Sequence, residues 1–89
     1  MSAKKRGFIE IVGDILQSIN EAPLKKSHIS FNCNLDPRST TKYLKIMGTL
    51  GLVEKSKDLQ HYILTEKGIK FLKQYNSLTE FLSNGYRKN

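Results

Sequence analysis

The chain has little cysteine, no tryptophan and no long apolar run, and each shortage excludes a class of protein. Its single cysteine, Cys33, excludes an intrachain disulfide, so packing alone must hold the fold together. No segment approaches the ~20 apolar residues of a membrane span. The basic residues 1–6 precede an amphipathic segment containing Glu10 and Asp14, unlike the apolar core of a signal peptide. We therefore expect a soluble, intracellular protein with no membrane partner.

Groups suited to catalysis or metal binding are also scarce. His28 and Cys33 lie five residues apart on a predicted helix and point about 140° apart, so they cannot share a tetrahedral metal. Gly48 and Gly51 bracket the end of a helix and do not form a phosphate-binding glycine loop. No base or oxyanion donor can be named beside Cys33, which suits a small buried hydrophobic residue. We predict no enzyme activity, metal, cofactor or small-molecule substrate.

Positive charge, in contrast, is abundant. The 89 residues contain 15 Lys and Arg against 8 Asp and Glu, which gives a formal net charge of +7. Such a balance favours nucleic acid or an anionic membrane surface as the partner. A single domain of this size buries only about 60–65% of its unfolded surface, so a second subunit is a plausible source of stability.

The apolar spacing predicts a helix over residues 8–20 and a shorter helix over residues 27–33. Apolar residues recur three and four positions apart in the first helix, as in an amphipathic helix with one buried side. Glu21-Ala22-Pro23 ends that pattern, and residues 24–26 can form a short extended piece. A tight turn at Asn34-Leu35 then leads to a further helix, which makes a helix-turn-helix.

The third helix, residues 37–50, has the clearest boundaries. Asp36 can cap it, Pro37 suits its first position, and Gly51 suits a left-handed C-terminal cap. Its predicted buried side carries Thr40, Tyr43, Leu44, Met47 and Leu50.

A basic stripe lies on the opposite side of this helix, formed by Arg38, Lys42, Lys45 and Thr49 and flanked by Thr41 and Ser39. A DNA major groove about 12 Å wide admits a helix, and Arg pairs with guanine while Lys and Thr reach phosphates or base edges. The alternative is an ordinary solvated helix face. The position of the basic stripe on the helix after the turn, together with the net charge of the chain, favours DNA binding.

Residues 52–57 and 60–64 read as two strands of a hairpin that turns at Asp58-Leu59. Lys55 and Lys57 near its tip are predicted to contact phosphates, although hairpin tips are commonly polar and acidic residues interrupt these cations. Thr65 can cap the last helix, and Gly68 allows close packing beneath the hairpin.

The last helix carries an apolar seam with spacings of four, three and four: Phe71, Tyr75, Leu78 and Leu82. We predict that this seam forms a dimer interface, whereas Ile69 and Leu72 pack inward. The alternative is that the seam wraps the same core. The predicted organisation is a flexible basic N-terminus (1–7), a core (8–68), a dimerisation helix (69–84) ended by Asn84-Gly85, and a flexible basic tail (85–89).

Taken in order, these motifs resemble those of a family of small archaeal winged-helix DNA-binding proteins. The matching segments are Ser27-His28-Ile29, Asn34-Leu35, Lys42-Tyr43-Leu44, Leu50-Gly51-Leu52-Val53 and Tyr62-Ile63-Leu64-Thr65-Glu66-Lys67-Gly68. The family includes dimeric ten-kilodalton chromatin-associated proteins and relatives encoded by archaeal viruses. The resemblance implies that the last helix pairs with that of a second subunit. It also implies that DNA meets Arg38, Ser39, Thr41, Lys42, Lys45, Lys55 and Lys57.

The predicted fold is mainly α with a small β-hairpin, a winged helix-turn-helix with a three-helix core, a two-stranded wing and a C-terminal helix. The predicted function is duplex DNA binding by a homodimeric transcription regulator in the cytoplasm or nucleoid, or in host cytoplasm if viral. Two alternatives stay open: a sequence-tolerant chromatin protein and a winged-helix protein-interaction module.

Overall fold

The computed structural model describes residues 6–87 of the chain as four helices and three short strands. In chain order these are α1 (Phe8–Glu21), β1 (Leu24–Lys25), α2 (Lys26–Cys33), α3 (Pro37–Thr49), β2 (Val53–Lys55), β3 (His61–Leu64) and α4 (Glu66–Arg87). The predicted mainly helical fold with a three-helix core and a hairpin is confirmed.

The core lies between the first three helices, the hairpin and the start of α4. Its buried apolar residues are Val12, Ile15, Leu16, Ile19, Ile29, Cys33, Leu44, Met47, Leu52, Val53 and Leu72. Thr40 is also fully buried. Its hydroxyl donates to the Asp36 carbonyl at 3.0 Å and accepts from the Ser30 hydroxyl at 2.7 Å. Both hydrogen bonds are made inside the protein, so they offset the cost of burying this polar residue, which joins α2 to α3.

Both ends of α3 follow the local signals in the sequence. The Asp36 carboxylate accepts from the Ser39 amide at 2.7 Å, Pro37 opens the helix, and Gly51 follows it with a φ of 79°. Glycine adopts this left-handed conformation at less cost than residues that carry a Cβ atom. The prediction that Leu50 is buried is wrong, because the reversal at Gly51 exposes Leu50 and places Leu52 in the core.

The sheet has three strands rather than the predicted two. Its order is β1-β3-β2, and both pairs are antiparallel, with Leu24 opposite Tyr62 and Val53 opposite Leu64. The extended piece before α2 pairs with the outer edge of β3, which would otherwise leave backbone groups unpaired. The hairpin strands are shorter than predicted because residues 56–60 form the turn.

The start of α4 packs closely under the hairpin. The Thr65 hydroxyl accepts from the Gly68 amide at 2.9 Å and donates to the Gly51 carbonyl. A side chain at Gly68 would collide with the Leu52 carbonyl, so the predicted close packing of this glycine is confirmed. Leu72 is buried as predicted, but Ile69 is exposed because it lies on the outer side of the helix.

The predicted end of the last helix at Asn84-Gly85 is wrong, since α4 continues to Arg87. A single glycine weakens a helix by about 1 kcal/mol and ends it only where the backbone turns left-handed. Three residues of the predicted tail, 85–87, are therefore helical, and residues 88–89 lie outside the described part.

Helix α1 begins at Phe8, the first residue of the predicted core. Residues 1–5 lie outside the described part, but Arg6 and Gly7 make defined contacts. The Arg6 guanidinium pairs with Asp14 at 2.8 Å, and the Gly7 amide donates to the Glu10 carboxylate at 2.8 Å. Gly7 is the N-cap of α1 and Arg6 precedes the helix, so both contacts lie just before the first turn of α1.

Candidate nucleic-acid interface

One side of α3 is basic and exposed, and the other is buried. Arg38, Lys42 and Lys45 are exposed, as are Thr41 and Thr49, whereas Leu44 and Met47 face the core. The structure therefore places the predicted stripe on the outer surface of the domain. Ser39 is half-buried, and its amide and hydroxyl both bond to the Asp36 carboxylate, so its side chain serves the helix cap.

A groove of about 760 Å³ runs between α3 and the hairpin. Of the predicted residues, it brings together Thr41, Lys45, Thr49 and Lys55. It does not include Arg38, Ser39, Lys42 or Lys57. Its other polar side chains are Lys26, Glu54 and Gln60, and its apolar ones are Leu44, Val53, Leu59 and Tyr62. Cations from α2, α3 and β2 thus surround a single concave surface.

Lys26 is a groove residue that is absent from the predicted site. It is the first residue of α2, and its ammonium donates to the Thr41 hydroxyl on α3. The Thr41 hydroxyl also donates to the Pro37 carbonyl at 3.0 Å. The only signal in the sequence is a lysine at the start of the helix before the turn. Its direction toward α3 depends on how the two helices cross.

Two of the lysines lie over aromatic rings. The Lys42 ammonium is 5.8 Å from the centre of the Tyr43 ring, and the Lys55 ammonium is 5.8 Å from that of Tyr62. Cation–π attraction at exposed positions is modest, about 0.5–1 kcal/mol, but it restricts where each charge lies. Lys55 is thereby held on the wall of the groove.

The carboxylate of Asp58 organises the tip of the hairpin. It accepts from the Ser56 hydroxyl and from the Gln60 and His61 amides at 2.8 and 3.1 Å, and it lies 2.7 Å from the His61 ring nitrogen. These hydrogen bonds, led by that of Ser56, hold the pKa of Asp58 well below its usual range. Lys57 is exposed beside this carboxylate.

The cations of α3 form no close ion pair with an acid among the described side chains. Among the side chains of residues 6–84, the acid–base contacts within 4 Å are those of Arg6 with Asp14 and of Asp58 with His61. Arg38, Lys42 and Lys45 take part in neither pair. A phosphate could therefore approach these residues without first displacing a carboxylate.

Other kinds of site have little support in the structure. Burial, followed by the nearby charge of Asp14, raises the pKa of the Cys33 thiol, which disfavours the reactive thiolate. In the described part of the chain, no three His, Cys, Asp or Glu side chains are grouped as metal ligands. None of the helices within residues 6–87 is long and apolar enough to cross a bilayer.

This arrangement of a helix-turn-helix followed by a hairpin matches a known family. A family model described as winged helix-turn-helix matches residues 5–83. The chain belongs to the winged helix-turn-helix family. An uncharacterized protein of Methanocaldococcus jannaschii is 31% identical to this winged helix-turn-helix protein over 80 residues, which cover 90% of the chain and 80% of the relative.

Solved structures share the same fold. The crystal structure of Sso10a-2, a DNA-binding protein from Sulfolobus solfataricus, superposes with a TM-score of 0.75 at 24% identity, covering 91% of this chain and 86% of that one. Lactococcus lactis ZitR in complex with DNA gives a TM-score of 0.73 at 22% identity, covering 98% and 62%. With an archaeal relative and an archaeal structural neighbour, the predicted resemblance to small archaeal winged-helix proteins is confirmed.

Proposed function

We propose that this winged helix-turn-helix protein binds duplex DNA as a homodimer and regulates transcription. The observation that carries this proposal is the cationic groove between α3 and the hairpin, to which Lys26, Lys45 and Lys55 contribute from three different elements. A surface with such charges suits the phosphates of one DNA strand. The DNA-bound structure of ZitR, which has the same fold, supports this choice of partner.

In the proposed complex α3 enters the major groove and the hairpin acts as the wing. Arg38, near the start of α3, would pair with a base edge, and Lys42 and Lys45 would contact phosphates or bases. Lys26, Lys55 and Lys57 would contact the sugar-phosphate backbone of the DNA on either side of α3. Base contacts provide sequence preference, whereas phosphate contacts mainly set position and affinity.

The salt dependence of binding to a mixed-sequence duplex tests this proposal. In fluorescence anisotropy, we expect the logarithm of affinity to fall linearly with the logarithm of salt concentration, by about 0.9 per neutralised phosphate. Replacing Arg38, Lys42 and Lys45 by alanine should greatly weaken binding. The matched control replaces three exposed lysines of α4 that do not line the groove: Lys67, Lys70 and Lys73. Equal, salt-insensitive binding by wild type and the α3 variant would instead favour a protein-interaction module.

Selection of bound duplexes from a random pool tests the proposal that the protein regulates transcription. A dimer that reads sequence should enrich an inverted repeat whose half-sites lie about one helical turn, ~34 Å, apart. Tight low-salt binding without enrichment would contradict a regulator and favour a chromatin or architectural protein.

The second half of α4 supports the homodimer. Beyond Tyr75, every residue to Asn84 is exposed, including Leu78 (57%), Phe81 (72%) and Leu82 (58%). Isolated helices of fewer than about 12–15 residues are marginal in water, so this half gains stability if a second copy covers its apolar side. Two residues of the predicted seam, Phe71 and Tyr75, are half-buried and also pack against the core of their own domain.

We therefore propose a dimer surface centred on Leu78, Phe81 and Leu82, with Phe71 and Tyr75 at its edge. Replacing Leu78 and Leu82 by glutamate should shift the protein from dimer to monomer in analytical ultracentrifugation, because each charge would be buried in an apolar contact. The matched control replaces Thr79 and Ser83, which directly follow Leu78 and Leu82 in α4, by glutamate. A monomeric wild type would contradict the dimer while leaving DNA binding by a single domain possible.

A further inference from the structure

The tip of the hairpin presents an apolar side chain in a conformation that does not suit it. Leu59 has a φ of 60° and is 70% exposed. Glycine or asparagine adopts this left-handed conformation more easily than leucine. Exposure also leaves the Leu59 side chain in water. Neither the backbone nor the domain core therefore benefits from leucine at this position.

The position of Leu59 is nevertheless well defined. Its amide donates to the Ser56 carbonyl at 2.9 Å, and the Asp58 carboxylate binds the amides of the next two residues, Gln60 and His61. Hydrogen bonds on both sides of Leu59 thus hold its backbone. The side chain is presented at the tip before any partner binds, so little further ordering would be needed on contact.

Leu59 also lies on the surface proposed to face DNA. It lines the same groove as Thr41 and Lys45 of α3 and Lys55 of β2. In the binding mode proposed above, with α3 in the major groove, the hairpin would cross one sugar-phosphate strand, and its tip would then point toward the adjacent minor groove. Lys55 and Lys57 would neutralise phosphates there. A leucine cannot hydrogen-bond base edges, but apolar side chains in minor grooves pack on sugars and wedge between base pairs.

We propose that Leu59 enters the minor groove as an apolar wedge and bends the duplex, an inference that rests on the DNA binding proposed above. A wedge partly unstacks a base step and widens the groove. The deformation costs least at flexible pyrimidine–purine steps such as TpA. Leu59 would thus contribute a preference for deformable sequence, separate from the base contacts of α3.

Energy transfer between dyes at the two ends of a 30-base-pair duplex, with a TpA step in each helical turn, measures this bend. Saturating wild-type protein should increase the transfer. Leu59→Asn should bind the same duplex but lose the increase, because asparagine tolerates the left-handed backbone without providing the wedge. The matched control, Phe31→Asn, removes another exposed apolar side chain that does not line the groove, and it should keep the increase. Thermal melts of all three proteins show whether the fold is preserved.

The outcomes separate this inference from the proposed function. Binding by wild type without increased transfer would overturn the wedge and leave DNA binding intact, as would a Leu59→Asn complex bent as strongly as wild type. A second duplex with its TpA steps replaced should be bent less, and equal bending would contradict the preference for flexible steps. Absence of duplex binding by wild type would overturn the proposed function and the wedge together.

Discussion

The two parts of the proposed DNA interface are stabilised in different ways. Helix α3 is anchored by its buried side, through Thr40, Leu44 and Met47, whereas the wing tip is held by hydrogen bonds around the exposed carboxylate of Asp58. Burial of apolar surface is insensitive to pH and to substitution of exposed side chains. Hydrogen bonds to one carboxylate depend on its protonation, and therefore on pH, and are lost when that exposed residue is replaced. The helix and the wing can therefore be altered independently.

The base of the wing is an intermediate case. Leu52 and Val53 are buried in the core, and Gly68 of α4 lies against the Leu52 carbonyl. The direction in which the wing leaves the domain thus depends on packing. The conformation of the wing tip does not. Packing thus fixes α3 and the base of the wing, whereas hydrogen bonds to Asp58 hold the tip.

The largest expected effect contrasts the helix with the wing directly. Replacing Arg38, Lys42 and Lys45 by alanine should weaken DNA binding far more than replacing Lys55 and Lys57, because only the helix variant also loses base contacts. Loss of the Arg38 contact alone should cost about 1–3 kcal/mol and relax discrimination at one base pair. Anisotropy titrations at several salt concentrations provide both the affinity and the salt slope. A wing variant weakened as much as the helix variant would contradict the ranking.

The next effect tests how the base of the wing is held. Gly68→Ala should lower the free energy of unfolding by roughly 1–3 kcal/mol, because its methyl group would displace the Leu52 carbonyl. Gly48→Ala, on the open side of α3, is the matched control, since nothing lies within 4 Å of its added carbon. It should raise stability by up to about 1 kcal/mol. Urea denaturation measures both changes, and similar stability of the two variants would contradict tight packing at Gly68.

The smallest expected effect concerns pH and the wing tip. Hydrogen bonds to the charged form lower the folded pKa of Asp58, so its stabilising contribution is complete above the unfolded pKa of about 3.9. That contribution is lost as pH falls toward the lower, folded value. In NMR titrations, the Gln60 and His61 amides should show no transition centred at about pH 4, and Asp58→Asn should change their shifts at neutral pH. A midpoint at the usual aspartate pKa would contradict this scaffold.

The α3 amide of Ser39 reports on a second carboxylate in that titration. It donates to Asp36, whose pKa is also lowered, first by this backbone hydrogen bond. The rest of α3 is held by burial, so its amides should not follow the titration of Asp58. If they do, the helix and the wing tip are coupled, and the contrast between them fails.

Local signals predicted the helices well. The start of α3 at Pro37 was predictable because Asp36 caps the helix and proline suits its first position, both within one turn. The left-handed residue after the helix was predictable because glycine is common at helix C-termini. The buried positions Leu44, Met47 and Leu72 follow from helical spacing, which depends on the backbone alone. The groove residues Lys45 and Thr49 follow from the same spacing.

Other features depend on contacts between distant parts of the chain. Three features depend on how the helices and strands pack against one another: the pairing of β1 with β3, the direction of Lys26 toward Thr41 and the exposure of Ile69. The same is true of Gly13, whose missing side chain leaves room for the Tyr75 ring from α4. A helical pattern shows which side of a helix is apolar but not which neighbour covers it.

The sequence by itself determined the order of the elements, the ends of α3 and the basic character of its outer side, because capping, turn formation and charge are properties of neighbouring residues. Only the tertiary structure decided which cations meet in the groove, that the wing has a third strand, and that Leu59 stands exposed at its tip. The physical reason is that these features arise from packing and strand pairing between segments far apart in the chain.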